Sequence, residues 1–126
     1  MKKQKHNLKR KPTDADFEYF KKCCLKYADL WELNNWSFRF HFEKDKKFDE
    51  NFEGAKIIRD IDFCQADIYL DPHYLTDDEE LKKVAKHEMI HCLLGLIYVF
   101  GRRRFIGEDD YSRIEEELTH KLERLL

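Results

Sequence analysis

The spacing of apolar side chains predicts three helices in this chain of 126 residues. Apolar residues recur every three or four positions in residues 14–30, as they do on the buried face of an amphipathic helix. A second helix is predicted to begin at the capping-box pattern T-D-D-E of residues 76–79, with Thr76 as its cap, and to end near Gly101. Residues 110–126 repeat the helical spacing and predict the third helix.

Alternation of apolar and polar side chains predicts three strands between the first and second helices. Residues 36–42 alternate aromatic with polar side chains, which places His41 on the polar face. Residues 55–61 alternate more weakly, and residues 63–70 form a third strand that ends before Pro72, since proline cannot continue a ladder. The predicted fold class is therefore α+β, with a small, mostly antiparallel sheet between helices.

The charge of the chain is small overall but unevenly distributed. The formal net charge is −2, although 40% of the residues are charged. Six of the 24 Lys and Arg lie in residues 1–11, which contain no acid, so the remainder carries 18 basic and 26 acidic residues. We predict a basic flexible arm, residues 1–12, on a single domain, residues 13–126. The arm is a candidate contact for nucleic acid or an acidic partner, and a solubilising tail is an equally good interpretation.

Neither a membrane span nor a secretory signal is predicted from the sequence. No apolar run approaches the length of a transmembrane helix, and the charged N-terminus lacks the apolar centre of a signal peptide. The four cysteines contain no C-x-x-C pair and are expected to be reduced, buried thiols of a cytoplasmic protein. They are Cys23, Cys24, Cys64 and Cys92.

Candidate chemistry is concentrated in residues 87–91, which read H-E-M-I-H. On a helix, His87 and His91 share one face, so both imidazoles can bind one metal ion, for which we predict zinc (Zn²⁺). Glu88 is displaced around the helix toward the water that such a metal would hold, where a carboxylate can act as general base. The motif lies where a polar stretch passes into the apolar run 92–100, a position suited to a metal site rather than to a solvated surface helix.

A catalytic zinc usually takes a third protein ligand, and the third predicted helix offers Glu115, Glu116 and Glu117. At about 100° per residue, Glu115 lies about 60° from the centre of the apolar face, Glu117 about 100° and Glu116 about 160°. Glu115 is therefore the preferred ligand, although its position in an S-R-I-E pattern also fits a helix cap. The remaining alternatives are Glu116, Glu117, His120, Glu108, Asp109 and Asp110.

The order of predicted elements resembles the zincin metallopeptidases in their gluzincin form, where a later helix supplies a glutamate ligand. It is similar in particular to short metallopeptidases of bacteriophages and prophages, which pair a strand like A-D-I-Y-L at residues 66–70 with an H-E-x-x-H helix and a Glu-rich helix like residues 115–118. The resemblance covers about residues 36–126. Leu94 and Ile97 stand where the metzincin branch requires glycine and a further ligand, so that branch is excluded.

This resemblance implies zinc on His87, His91 and Glu115, catalysis by Glu88, and a bacterial host cytoplasm as the location. It also implies that an extended peptide substrate pairs with a sheet-edge strand. The residues of that strand are Ala66, Asp67, Ile68, Tyr69 and Leu70. Tyr111, one turn before Glu115, is the candidate for stabilising the oxyanion.

The expected function is hydrolysis of peptide bonds by a zinc-dependent zincin-like domain. The alternative is a non-catalytic interaction protein, in which the metal is structural and the basic arm binds nucleic acid or an acidic partner. The two differ in coordination, because a catalytic zinc keeps one position open and a structural zinc is closed by four protein groups.

Overall fold

A computed structural model describes residues 8–45 and 54–95 and eight residues of the C-terminal segment 112–123. The elements are helix α1 (Asp14–Leu30), strands β1 (Ser37–His41) and β2 (Ala55–Asp60), a 3₁₀ turn (Ile61–Phe63), strand β3 (Gln65–Leu70) and helix α2 (Asp78–Leu93). The described C-terminal residues are all helical and are Ser112, Arg113, Glu115, Glu116, Thr119, His120, Leu122 and Glu123. The α+β class is confirmed. Helix α2 ends at Leu93, with Leu94 as its C-cap, so the prediction of one helix that continues to Gly101 is wrong; Gly101 itself lies outside the described residues.

Helix α1 occupies the residues that the apolar spacing predicts. The Thr13 hydroxyl accepts a hydrogen bond from the Asp16 amide at 3.2 Å, and the Asp16 carboxylate accepts one from the Thr13 amide at 2.9 Å. This reciprocal pair satisfies donors that a helix start leaves free. Phe20, Cys24 and Tyr27 form the buried face and join the core beneath α2 and the sheet.

The three described strands form a mixed sheet in the order β1-β3-β2. β1 runs parallel to β3, with Phe40 opposite Ile68, and β2 runs antiparallel to β3, with Ile57 also opposite Ile68. The prediction of a mostly antiparallel sheet is therefore wrong. The tight turn at residues 61–64, with Cys64 at φ 51°, reverses the chain once between β2 and β3. Side-chain alternation contains no information on strand direction, so the parallel β1–β3 pairing was not readable.

Strand β3 lies in the centre of the sheet, which corrects the prediction that residues 66–70 form a substrate-binding edge. Its backbone pairs with β1 on one side and with β2 on the other. Ala66, Ile68 and Leu70 are buried in the core, at 1%, 0% and 2% exposure. An added peptide strand would have to displace one of the two neighbours, so the free edges among the described strands belong to β1 and β2.

The chain before α2 is anchored differently from the prediction. Asp77 caps α2, because its carboxylate accepts a hydrogen bond from the Glu80 amide at 2.8 Å, whereas Thr76 is buried and exchanges backbone hydrogen bonds with Arg10. The Arg10 guanidinium also donates to Asp78 at 3.1 Å. Arg10 is thus held against the domain, although it lies in the predicted flexible arm, residues 1–12. Residues 1–7 of that arm lie outside the described residues.

The four cysteines are free thiols, as predicted. Only Cys24 and Cys92 are buried, however, so the prediction that all four are buried is wrong for the partly exposed Cys23 and Cys64. Among the described residues no helix combines the length and the apolar character that crossing a membrane requires.

Helix α2 presents its core face through residues spaced by three or four positions, as predicted. Leu81, Ala85 and Met89 are almost completely buried, at 1%, 0% and 0% exposure. Because that face is directed at α1 and the sheet, the neighbouring stripe that contains His87 and His91 lies at the border of the core, where side chains are only partly exposed. The fold therefore holds the two imidazoles on a rigid, well-packed helix.

Candidate metal centre

Helix α2 brings the two predicted histidine ligands together, one turn apart. The ring centroids of His87 and His91 are 5.0 Å apart. Their Nε2 atoms converge to 3.3 Å. Neither side chain is fully buried, with 21% and 12% exposure respectively. Two ring nitrogens thus meet at one point that remains accessible from the surface.

Among the described residues, Glu116 supplies a carboxylate that faces both of these nitrogens. Its Oε1 is 3.2 Å from His87 Nε2, and its Oε2 is 3.3 Å from His91 Nε2. A tetrahedral zinc with bonds of about 2.0–2.1 Å has ligand–ligand distances of about 3.3–3.4 Å. The separation of the two Nε2 atoms therefore matches one edge of a zinc tetrahedron, and the two oxygens of Glu116 lie at similar distances from one imidazole each. The three residues form a group that could hold a metal ion.

Two further glutamates bind the outer nitrogens of the same histidines. Glu115 Oε2 accepts from His91 Nδ1 at 2.7 Å, and Glu123 Oε2 accepts from His87 Nδ1 at 3.0 Å. Because a carboxylate only accepts, each Nδ1 carries a proton, so Nε2 is the nitrogen left for a metal. Histidine ligands in metal sites usually have such a carboxylate partner, which sets the tautomer and the ring orientation.

The structure places Glu115 behind His91 rather than among the converging atoms. The residue is buried, at 5% exposure, as the helical-face argument predicts. Burial and ligation are separate properties, however, and the half-exposed Glu116 is the one that faces both Nε2 atoms. The assignment of Glu115 as ligand remains a prediction, and the geometry of the described residues favours Glu116.

Arg59 is a member of the site that the sequence reasoning missed. Its Nη1 donates to the backbone oxygen of His91 at 2.6 Å and to Glu115 Oε1 at 3.1 Å. It thereby connects β2, α2 and the C-terminal helical residues. The sequence contained a signal for this residue, because Ala55, Ile57 and Arg59 alternate along β2 and therefore share one face of the strand. In the structure all three line the same cleft. An arginine that shares a strand face with two apolar residues is expected to have a buried acidic partner.

Glu88 lies beside the two histidines and is buried, at 5% exposure. It lines the same cleft as His87 and His91. Burial raises the pKa of Glu88 to about 7, against an ordinary value of 4.5, while the positive charge of His91 opposes the shift. A carboxyl group with a pKa near neutrality exchanges protons readily under physiological conditions, as a general base must.

In the absence of a metal, protons bridge the nitrogens and carboxylates of this centre. Although burial opposes it, hydrogen bonding to Glu115 and Glu116 raises the pKa of His91 to about 9. Burial also acts to lower the pKa of His87, but the hydrogen bond to Glu116 and neighbouring carboxylate charges together outweigh burial, so the pKa of His87 is raised. Hydrogen bonds from the two imidazoles lower the pKa of Glu116. A metal at this point would take the place of the Nε2 protons, so its binding releases protons near neutral pH.

The centre lies in an open cleft of about 800 Å³. β2 forms one side through Ala55, Ile57 and Arg59, α2 forms another, and the C-terminal helical residues form a third. This volume is in the range of sites that bind small molecules or short peptide segments. None of residues 66–70 lines the cleft, whereas β2 does, so the sheet contributes to the site through a different strand from the predicted one.

The other predicted site residues have mixed outcomes. Tyr111 lies outside the described residues. His73, a loop histidine whose position just before α2 made it a further, weaker candidate, is exposed and does not line the cleft. Asp67 and Tyr69 face away from the core and interact with His41, through a 2.8 Å contact to its Nε2 and a ring stack with centroids 4.4 Å apart.

The C-terminal helical residues contribute more to the centre than the helical-face argument indicated. Glu116, His120 and Glu123 are spaced by four and three residues, which places them on one helical stripe. That spacing was the signal for a second polar face directed at the H-E-x-x-H helix. The apolar face of the helix by itself gives no indication of this second, polar face.

Comparison with known proteins adds no identification to this geometry. No protein-family profile, curated protein sequence or solved structure matches the chain. The functional conclusion therefore rests on the residues of the centre themselves.

Proposed function

We propose that this protein is a zinc-dependent peptidase with a zincin-like domain of gluzincin form. The observation that carries the proposal is the convergence of the His87 and His91 Nε2 atoms at the edge length of a zinc tetrahedron, with the Glu116 carboxylate facing both. The open cleft leaves a fourth side for water or substrate, and the buried Glu88 lies next to it. An H-E-x-x-H helix with a carboxylate ligand from a later helix is the donor set of this class of enzyme.

Each residue has a distinct role in the proposed reaction. Zinc, when bound, supplies a Lewis acid that polarises a carbonyl group and lowers the pKa of water. The Glu88 carboxylate accepts a proton from the attacking water and delivers it to the departing amine nitrogen. Glu115 and Glu123 keep the protons of the two histidines on Nδ1, which orients both Nε2 atoms toward the metal. Arg59 holds Glu115 in place.

The proposed peptide-pairing edge is strand β2. Among the described strands β2 pairs only with β3, so the edge directed away from β3 is the one that we propose for an added strand. The side chains of Ala55, Ile57 and Arg59 line the cleft in front of the histidines. Main-chain pairing at such an edge would align an extended substrate without selecting its side chains, which would depend on the walls of the cleft.

Binding of a peptide hydroxamate tests the proposed open coordination position. Zinc-loaded protein should bind the hydroxamate in a calorimetric titration, because its two oxygens need a metal position that no protein group holds permanently. The matched carboxamide, which cannot chelate, should bind far more weakly. No difference between the two compounds, together with four protein ligands at the zinc, would contradict the enzyme proposal and favour the structural-metal alternative.

Alanine variants distinguish the third ligand. Glu116→Ala should weaken zinc binding by more than the roughly 10–100-fold that loss of an outer partner causes, and Glu115→Ala should fall within that range. Glu115→Ala should also destabilise the zinc-free protein by about 1–3 kcal/mol, because it removes a buried acceptor of Arg59. Metal titration and denaturant unfolding measure the two effects.

Glu79→Ala, at an exposed position in the first turn of α2, is the matched control for these variants. It should leave zinc binding unchanged. A larger loss of zinc affinity at Glu115 than at Glu116 would instead establish Glu115 as the ligand and reject the assignment made from the distances.

A further inference from the structure

A third imidazole is prepared for metal binding in the same way as the two ligand histidines. His120 Nε2 lies 3.4 Å from Glu116 Oε1, the oxygen that also contacts His87. His120 Nδ1 donates to Glu123 Oε1 at 2.9 Å, while the other oxygen of Glu123 accepts from His87. In His87 and His120 alike, therefore, one ring nitrogen is bound by Glu123 and the other faces Glu116.

We propose that His120 is an exchangeable fourth zinc ligand, which closes the metal site in the resting protein and leaves it when substrate binds. The proposal rests on the proposed function, since it concerns the position that water or substrate would take. Its chemistry is ordinary, because a neutral imidazole with a protonated Nδ1 is a common zinc ligand. No component beyond the chain and the metal is required.

The distances support a short approach of His120 to the metal position. The ring centroids of His87 and His120 are 5.2 Å apart, close to the 5.0 Å between His87 and His91. The 3.4 Å contact to Glu116 is within the edge length of about 3.3–3.4 Å expected for ligands of one tetrahedral zinc. His120 also forms a separate candidate metal-binding group with His87 and Glu123. The imidazole therefore lies beside the donor cluster, in contact with Glu116 and Glu123.

Exposure and position make such a ligand easy to displace. The His120 side chain is 61% exposed, whereas those of His87 and His91 are 21% and 12% exposed. It is therefore less restrained by packing than either of the permanent ligands. It also lies one turn from Glu116 on the same helix, so a side-chain rotation alone would move it away from the centre. A bound carbonyl or hydroxamate oxygen would then take its place.

This arrangement predicts that two affinities change together when His120 is removed. If the closed form exceeds the open form by about ninefold, His120→Ala weakens zinc binding about tenfold and tightens hydroxamate binding to the zinc-loaded protein about tenfold. The two factors must be equal, because both report the same closing equilibrium. Zinc affinity is measured by chelator competition and hydroxamate affinity by calorimetry on the full-length protein.

Cobalt substitution and chemical rescue provide readouts that do not depend on activity. Wild-type protein loaded with Co²⁺ should show the visible absorption of a four-coordinate site, and His120→Ala should change that spectrum. Free imidazole added to the variant should restore the wild-type spectrum and compete with hydroxamate. His73→Ala, at an exposed histidine outside the cleft, is the matched control and should behave as wild type.

The possible outcomes separate this inference from the proposed function. Unequal factors, or a His120→Ala variant identical to wild type in zinc affinity, hydroxamate affinity and cobalt spectrum, would overturn the His120 role while leaving an open zinc site in place. Failure of the wild-type protein to bind zinc at all would overturn both. Linked, equal changes with imidazole rescue would establish the exchangeable ligand.

Discussion

His87→Ala and His91→Ala should each abolish stoichiometric zinc binding. In each variant only one of the two converging Nε2 atoms remains, so the Glu116 carboxylate contacts only one of the two motif histidines. The loss should exceed the roughly 10–100-fold effect of removing an outer-shell partner, since a direct ligand is lost. Metal analysis after dialysis against zinc-containing buffer should give one zinc per wild-type chain and none per variant.

Thermal unfolding provides an independent measure of the same effect. Zinc at 100 times its dissociation constant should stabilise the wild-type protein by about 2.7 kcal/mol, and it should leave the unfolding of both variants unchanged. His73→Ala is the control, because that histidine is exposed and does not line the cleft. A wild-type protein that takes up no zinc, or variants that retain it, would show that the motif is not a metal site.

Glu88→Gln should retain zinc and lose hydrolysis. The amide preserves the shape of the buried side chain but cannot accept the proton, and loss of a general base typically lowers turnover by about 10²–10⁴-fold. Hydroxamate binding should persist, which separates a lost base from a lost metal when the natural substrate is unknown. A variant that hydrolyses peptides at the wild-type rate would exclude Glu88 as the base. Loss of zinc from the variant would instead indicate a structural role.

The same variant should alter the pH dependence of stability in the zinc-free protein. Because folding raises the pKa of Glu88 from 4.5 to about 7, its contribution to stability is complete below pH 4.5 and is lost as pH rises through 7. The shift corresponds to about 3 kcal/mol. Glu88→Gln cannot ionise, so its free energy of unfolding should decline less than that of the wild type between pH 4.5 and 7. Parallel curves for the two proteins would show that burial does not perturb Glu88.

Local spacing along the chain was sufficient to predict most of the elements and two members of the centre. Helix α1 and the buried face of β3 were readable because apolar periodicity directly reflects which side chains a helix or strand directs at a core. The pair His87 and His91 was readable for the same reason, since four residues on a helix return to the same face whatever the surrounding fold. These are local properties, in which residues that act together are close in the chain.

Local patterns are ambiguous where two neighbouring residues fit the same role, as they do at the cap of α2 and at the third ligand. Thr76 and Asp77 can each begin a capping pattern, and the backbone pairing of Thr76 with Arg10 leaves Asp77 as the cap. Glu115 and Glu116 are adjacent, and ranking them by the apolar face identified the buried residue rather than the one nearest the two Nε2 atoms. In both cases the deciding partner is distant in sequence, so local spacing contained no information about it.

The way in which the sheet and the C-terminal helical residues meet α2 depends on long-range packing and is visible only in the folded protein. Three features join segments that are far apart in the chain. They are the central position of β3, the hydrogen bond from Arg59 to Glu115, and the contacts of Glu115, Glu116 and Glu123 with the histidine ring nitrogens. Strand order and helix docking depend on how entire faces pack together, and many arrangements satisfy the same one-dimensional pattern. The sequence therefore determined which side chains could bind a metal, and packing decided which nitrogen and which oxygen of each one face it.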